Sequence, residues 1–322
     1  MNQTQKLPPH VVLLLDRLAP ARLTKVVDVG ANPQNRPAYA DLRDAGQCEV
    51  IGFEPMPFAY AQLLETKLSN ETYFPHAVGD GSRQELKIYT RKGFTSVLDP
   101  YPAGERYVGG TEWRAVVERI SFETVTLDGT EGLGQFDLLK IDIQGGEVAV
   151  FKGGRQALAK ATAIIVELRY YRLYEQEPML GGVDEELRAQ GFYLHKFLDF
   201  SRRMAPHSQA HRVNRVAMRD QLLDGDAVYL RDLGRIDELS DEQLCHLCIL
   251  AASVFASHSI VLHCLDALVL RGAVAADLPG VYVDTLPRTL RHGGGGDNDL
   301  ARRRAQRQAR RTGIPVTSLA GE

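Results

Sequence analysis

The sequence predicts an α/β fold, a mostly parallel sheet with helices on both faces, followed by a small helical appendage. Three observations carry that prediction. Residues 1 to about 233 alternate short β-branched runs with amphipathic stretches, the pattern of buried parallel strands joined by covering helices. Two of the runs, 136–141 and 163–166, are continuously apolar, as central strands buried on both faces must be. From 240 to 270 the pattern changes to leucine and alanine at helical spacing.

In chain order, a helix is expected over 10–19, leading into a first strand over 25–29 that ends at Gly30. A short helix after Pro37 runs through Tyr39 and Leu42 and stops near Gly46; a second strand covers 49–53 and ends at Glu54. Pro55 and Pro57 introduce a helix to about residue 68, because proline suits a first helical turn. Strands follow over 72–78 and, more alternating, over 85–90. After the two central runs come late, compact strands over 191–195 and 227–230. Ser240-Asp241-Glu242-Gln243 has the form of a helix cap and opens the appendage. The chain thus divides into an α/β domain over 1–233, a helical appendage over 234–290 and a tail over 291–322.

The 322 residues are 44% hydrophobic and 25% charged, with 38 basic and 41 acidic side chains and four cysteines. Length and composition indicate a globular protein with a sizeable core, and the net charge of -3 offers no whole-chain attraction to nucleic acid or an anionic membrane. Four scattered cysteines do not make a disulfide framework. The longest apolar run near the N-terminus, 11–15, is too short for a signal peptide or a spanning helix, so a cytoplasmic protein without a membrane span is expected. The tail carries seven arginines for a net +4, leaving -7 on the rest; after Gly293 to Gly296 it is expected to be a mobile, solvated arm.

Ligands of open α/β sheets bind beyond the carboxyl ends of the strands, so the residues just after each strand are the ones to inspect. They read Asp28-Val29-Gly30-Ala31-Asn32, Glu54-Pro55, Asp80, Asp142-Ile143-Gln144-Gly145-Gly146-Glu147 and Glu167. The first loop has one glycine where a dinucleotide site needs three, so nothing in it favours a pyrophosphate. Glu54 is placed to accept two hydrogen bonds from a ribose diol. The pair suits a nucleoside without phosphates. S-adenosylmethionine is one, and its cationic sulfonium and ammonium would sit comfortably beside Asp28 and Asp142.

At these residues a resemblance becomes specific. Val27-Asp28-Val29-Gly30-Ala31-Asn32, Gly52-Phe53-Glu54-Pro55, Leu139-Lys140-Ile141-Asp142-Ile143-Gln144-Gly145-Gly146-Glu147, Lys152-Gly153-Gly154 and Val166-Glu167 resemble the FkbM-type family of S-adenosylmethionine-dependent methyltransferases, in the right order. More faintly, the resemblance continues to about Leu230. It implies a Rossmann-like class I methyltransferase fold with a mostly parallel seven-stranded sheet, and O-methylation of a hydroxyl on a sugar, glycan or natural-product acceptor. It also implies that Asp28, Gly30, Ala31 and Asn32 surround the methionine half of the cofactor, that Glu54, followed by Pro55, holds the ribose, and that His76, Ala77 and Val78 lie near the adenine with Asp80 close by. Asp142 and Glu147 would face the reaction centre. Pro33 and Gln34 stand where the commonest family pattern has a second glycine, and a proline there presets the turn into the next helix.

A hydroxyl is a poor methyl acceptor unless its proton leaves during attack, so a base is expected: Asp142 first, then Glu147, then His195. The long stretch 91–120, with Tyr101, Tyr107, Trp113 and several glycines, reads as a lid or acceptor-binding loop. Glu167, Arg169, Tyr170 and Tyr171 form the opposite candidate wall. A divalent metal shared by Asp142, Glu147 and Glu167, and a zinc site at Cys245-His246-Leu247-Cys248 with His258, His263 and Cys264, are weighed and not adopted: no tight acidic triplet occurs, and that Cys-x-x-Cys lies at core positions of a helix. The expected partner is a small-molecule or glycan acceptor, with no specific nucleic acid; the appendage allows a homodimer. Two rival classes stay open, a nicotinamide (NAD)-dependent oxidoreductase and a catalytically silent nucleoside-binding or interaction module on the same fold.

Overall fold

The computed structural model describes residues 7–108 and 115–291. Trp113, Gly109, Gly110 and the tail beyond Arg291 lie outside the described residues. The described residues form two compact units, one within 24–37 and 46–233, the other within 7–23, 38–45 and 234–291.

The first unit is built on the expected sheet. Strands β1 (Thr24–Val29), β2 (Cys48–Phe53), β3 (Glu71–Phe74), β7 (Leu138–Ile141) and β8 (Ala163–Arg169) run parallel in the order β3-β2-β1-β7-β8. Beyond β8, β11 (Gln221–Arg231) turns antiparallel, and its outer edge is shared by β9 (Phe192–Phe197) and β10 (Ser201–Arg203). Eight strands therefore occupy seven positions, because β9 and β10 are one edge strand interrupted at 198–200.

The Val- and Ile-rich strands are buried on both faces, which is why they read as continuous apolar runs. On one face Val27, Val29, Phe53, Ile141 and Val166 pack with Val150 and Phe151 of α5 (Glu147–Lys152) and Val183 and Leu187 of α7 (Leu180–Ala189). Toward the other, Leu63 of α3 (Pro57–Thr66) packs with Tyr73. Fully burying each such side chain stabilises by about 1.5–3 kcal/mol, so this shared core fixes the strand ends that carry the polar residues.

Two expectations need correction. The strand expected over 72–78 breaks at Pro75, which has no N–H to donate. The chain leaves the main sheet there and enters a second, three-stranded sheet of β4 (Ala77–Val78), β6 (Val116–Val125) and β5 (Arg83–Tyr89). The stretch 91–120 is not a simple lid: it contains α4 (Pro102–Val108) and the start of β6, paired along β5 from Tyr89↔Val116 to Arg83↔Glu123. Ile120 and Phe122 alternate with Arg119, Ser121 and Glu123, the period-two signal of a strand.

The second unit contains α1 (Pro9–Leu18), α2 (Ala40–Asp44), α8 (Asp241–Ser253), α9 (His258–Leu270) and α10 (Leu278–Thr285). Helix α1, read from sequence as part of the 1–233 domain, groups here with the C-terminal helices. The expected cap is present: the Ser240 hydroxyl accepts from the Gln243 N–H, and the Gln243 side chain accepts from the Ser240 N–H. Cys245, Cys248 and Cys264 are buried thiols within α8 and α9. Among the described residues no helix is long and apolar enough to cross a membrane.

Candidate active site

The carboxyl ends of the parallel strands frame a cavity of about 410 Å³. Val29 and Gly30 follow β1, Phe53 and Pro55 end β2, His76 to Asp80 come from the crossing into the small sheet, and Phe122 lies on β6. Ile143, Gly145, Val148 and Ala149 close it from α5 and the loop before it. This mostly apolar slot is within the usual size of a small-ligand site.

The first loop is tightly stitched. Gly30 and Ala31 donate their N–H groups to the Phe53 carbonyl at 3.1 and 3.0 Å, and the Asp142 N–H donates to the Val29 carbonyl at 3.1 Å. Gly30 has φ +84°, and a Cβ there would stand 2.2 Å from the Asp142 carbonyl oxygen, so only glycine fits. Asn32 lies outside the cavity, exposed, with its side-chain oxygen accepting the Gln34 N–H at 2.9 Å. Asp28 is buried, 3.5 Å from the Lys140 ammonium.

Glu54 does not itself line the cavity but stands between Phe53 and Pro55, which do; it is 9% exposed, with Oε1 accepting the Met56 N–H at 2.7 Å. Burial raises its pKa to about 7; the Met56 N–H opposes the rise and Asp28 adds to it. His76 stacks on Phe74 at 6.2 Å. Asp80 is exposed, and hydrogen bonds from the Ser82 hydroxyl (2.6 Å) and N–H (3.0 Å) keep its carboxyl below the ordinary range.

Beside the cavity the rim is charged. The registers Ile141↔Val166 and Glu167↔Asp226 bring Asp142, just after β7, beside Glu167 on β8 and Asp226 on β11. The Gln144 amide nitrogen donates to Asp142 Oδ1 (2.9 Å) and Glu167 Oε2 (2.7 Å). Its oxygen accepts from Arg169 Nη2 (3.0 Å) and the Tyr174 hydroxyl (3.3 Å). Gln144 holds this position at φ +60°, unusual for a residue with a side chain, while its carbonyl accepts the Ser96 hydroxyl at 2.6 Å. Arg169, buried, also donates to Glu177 (2.8 Å), Asp224 (2.7 Å) and Glu167 (3.0 Å).

These charges set one another. Burial alone would lower the Lys140 pKa, but Asp28, Asp142 and Asp226 outweigh it and keep the ammonium protonated. Glu167 is pushed well up by burial and Asp142, against Arg169. Burial, with Asp142 and Asp199, raises Asp226 to about 6, against Lys140.

Of the residues expected from sequence, the cavity gathers Gly30, Pro55, His76, Ala77, Val78 and Asp80, and the charged network gathers Asp142, Glu167 and Arg169. Two expected bases are displaced. Glu147 turns both carboxylate oxygens onto the N–H groups of Ile143 (3.1 Å) and Gly145 (3.1 and 3.0 Å), so it anchors the loop. His195 lies on β9, three strand spacings from β7 or roughly 14 Å at the usual interstrand distance, and below the rim. Tyr101 lies under the Arg172 guanidinium at 5.5 Å; the Tyr107 hydroxyl donates to Gln221 at 3.3 Å beside the Tyr171 ring. Tyr170 packs among Phe197 and Phe200.

Lys140 and Gln144, quoted within the motifs, were given no role from sequence, and Glu177 and Asp226 were not singled out at all. A lysine and an aspartate two apart in a buried strand were a signal for Lys140. Asp226, 59 positions after Glu167 in the chain, left none. Among the described residues no group of three or more His, Cys, Asp and Glu side chains is arranged to hold a metal ion.

A curated relative, the 2-O-methyltransferase NoeI of Sinorhizobium fredii (strain NBRC 101917 / NGR234), is 28% identical over 197 residues, 55% of this chain and 75% of its own. Methyltransferase sdnD of Sordaria araneosa is 29% identical over 159 residues, 40% of this chain; the match spans 59% of that protein's length. Among solved structures, the precorrin-6y C5,15-methyltransferase of Geobacter metallireducens superposes with a TM-score of 0.30 at 12% identity, over 68% of this chain and 85% of its own. M. jannaschii TYW2 in complex with AdoMet superposes with a TM-score of 0.28 at 12% identity, over 69% and 77%. Superpositions this loose say nothing about function. The model of the methyltransferase FkbM domain matches residues 28–194, from the first strand through β9 and over more than half of the sequence, and the chain belongs to that family.

Proposed function

We propose that this protein is an S-adenosylmethionine-dependent O-methyltransferase acting on a hydroxyl of a sugar, glycan or natural-product acceptor. The observation that carries the proposal is the pairing of an apolar, nucleoside-sized cavity with the buried Glu54 on one side of the strand ends and a carboxylate-rich rim on the other. The residues fit the cofactor: Gly30 leaves a cradle that a Cβ would fill, Phe122, Val78 and Ala149 offer apolar walls for an adenine, and Glu54, one oxygen held by the Met56 N–H, stands between the lining residues Phe53 and Pro55. When bound, S-adenosylmethionine supplies an electrophilic methyl group.

In this reading the protein aligns the acceptor and keeps the site dry. Asp142, oriented by Gln144, and Asp226, with a pKa near 6, stand where a hydroxyl proton must go, and a base titrating close to neutrality suits that transfer. Lys140 balances the carboxylates. That NoeI is named a 2-O-methyltransferase favours oxygen as the acceptor atom. The four buried thiols suit a reducing, cytoplasmic setting.

The test is incubation with isotopically labelled S-adenosylmethionine and an extract of host glycans and metabolites, followed by mass analysis. Label on a hydroxyl oxygen, lost with Glu54→Ala, is the expected result. Label only in protein or nucleic acid, or tight NADH binding in place of S-adenosylmethionine, overturns it.

A further inference from the structure

Residues 201–219 carry five arginines, at 202, 203, 212, 215 and 219, and two histidines, with no acidic residue. Four of the five arginines are exposed and Arg203 is half-buried. Their side-chain hydrogen bonds go to neutral groups: Arg203 to the Ser201 hydroxyl and the Arg202 carbonyl, Arg212 to Gln209. Exposed apolar side chains stand among them, Phe200 (43%), Val216 (65%) and Met218 (39%). Phe200, Arg202, Val216, Ala217 and Arg219 line a separate cavity of about 370 Å³.

This cavity adjoins the charged rim. Arg202 is registered opposite Leu222 on β11, two residues before Asp224 and four before Asp226. Its guanidinium lies 5.8 Å from the centre of the Phe200 ring, Phe200 packs on Tyr170 at 6.0 Å, and Tyr170 follows Arg169 directly. Uncompensated guanidinium groups repel one another, and a planar, always charged fork binds phosphate in two-point fashion. Two of them flanking an apolar floor match a diphosphate joined to a ring.

We infer that the cavity formed by Phe200, Arg202, Val216 and Arg219 is an acceptor subsite for a diphosphate-bearing molecule, such as a nucleotide-linked sugar, whose hydroxyl is presented to the neighbouring rim. The inference rests on the methyltransferase reading for its use of the hydroxyl, and on charge and shape for the anion. The diphosphate, held by the exposed Arg202 and Arg219, makes recognition weaken with ionic strength, because salt screens exposed charge pairs.

Calorimetry on the full chain tests it with inorganic pyrophosphate and UDP-glucose as probes. Saturable one-to-one binding of both is expected, weakened at least tenfold by the double variant Arg202→Gln/Arg219→Gln and less than twofold by Arg212→Gln, which removes one charge away from the cavity. S-adenosylhomocysteine affinity should be the same in all three proteins. Equal loss with Arg212→Gln, no binding of either probe at millimolar concentration, or binding only to phosphatidylglycerol vesicles each overturns the subsite. If S-adenosylhomocysteine fails to bind the unaltered protein, the methyltransferase reading falls while the pyrophosphate isotherms still decide the anion site.

Discussion

The two sides of the strand ends are built on opposite principles. On the cavity side, Val29, Phe53, Val78, Phe122 and Ala149 leave an empty shape, and one carboxylate, Glu54, is buried at its edge. On the rim side, Asp142, Gln144, Glu167, Arg169, Glu177 and Asp224 fill the space with one another's hydrogen bonds. A shape held by apolar packing tolerates a ligand entering and leaving. A charged network must be complete before any ligand arrives, because a half-satisfied one costs more than none. The binding side is therefore expected to fail through shape and the rim through charge.

Arg169→Ala is the largest break. It leaves Glu167, Glu177 and Asp224 without their buried cation, and removing one partner of such a group costs about 3–5 kcal/mol. Urea unfolding should show that loss; a loss below about 1 kcal/mol would mean that the rim is solvated rather than built.

Gly30→Ala attacks the cavity side by shape. With φ +84° and the Asp142 carbonyl 2.2 Å from the added Cβ, the loop must move. A destabilisation of about 1–3 kcal/mol should accompany loss of S-adenosylhomocysteine binding, read by calorimetry and thermal melting together.

Gln144→Leu separates the two sides. The amide joins Asp142 to Glu167, and removing its donor from these half-buried acceptors, of which Glu167 keeps Arg169, costs about 1–3 kcal/mol. Falling mainly on the reacting geometry, that corresponds to roughly a 10- to 100-fold drop in kcat, with S-adenosylhomocysteine affinity nearly unchanged. Equal loss of affinity would show that the sides are not independent.

The most gradual effect is the pH response of Glu54. Its folded pKa of about 7 lies above the ordinary 4.5, so the folded chain holds the extra proton in that window. Its contribution to stability is fully present below about 4.5 and is lost as pH rises through 7. Ribose binding needs the ionised carboxylate, so cofactor affinity should rise over the same range. Opposite slopes in melting temperature and affinity between pH 5 and 8, both flattened in Glu54→Gln, are expected; parallel slopes would assign the titration to another group.

Much of the fold was legible because its signals are local. A run such as Lys25-Val26-Val27-Asp28-Val29 is strand-forming through its own β-branched side chains, and the Ser240 and Gln243 cap pairs residues three apart. Glu54 was legible for the same reason, as an acid at the end of a buried strand. Glu147 misled because its role depends on a turn: with Gln144 and Gly145 at φ +60° and +108°, the loop curls its N–H groups onto the carboxylate.

By itself, then, the sequence determined the parallel strands at the centre of the main sheet, which of their ends carry acids, and the family motifs from Asp28 to Glu167, because each depends on neighbours within a few residues. Tertiary structure alone decided which acids meet. Asp226 meets Glu167 only because β11 enters the sheet antiparallel beside β8, and Pro75 sends the chain into the small sheet, whose Val78 and Phe122 wall the cavity, instead of extending the main one. Charges interact over a few ångströms of space, whatever their separation along the chain, and that distance is set by strand order and register.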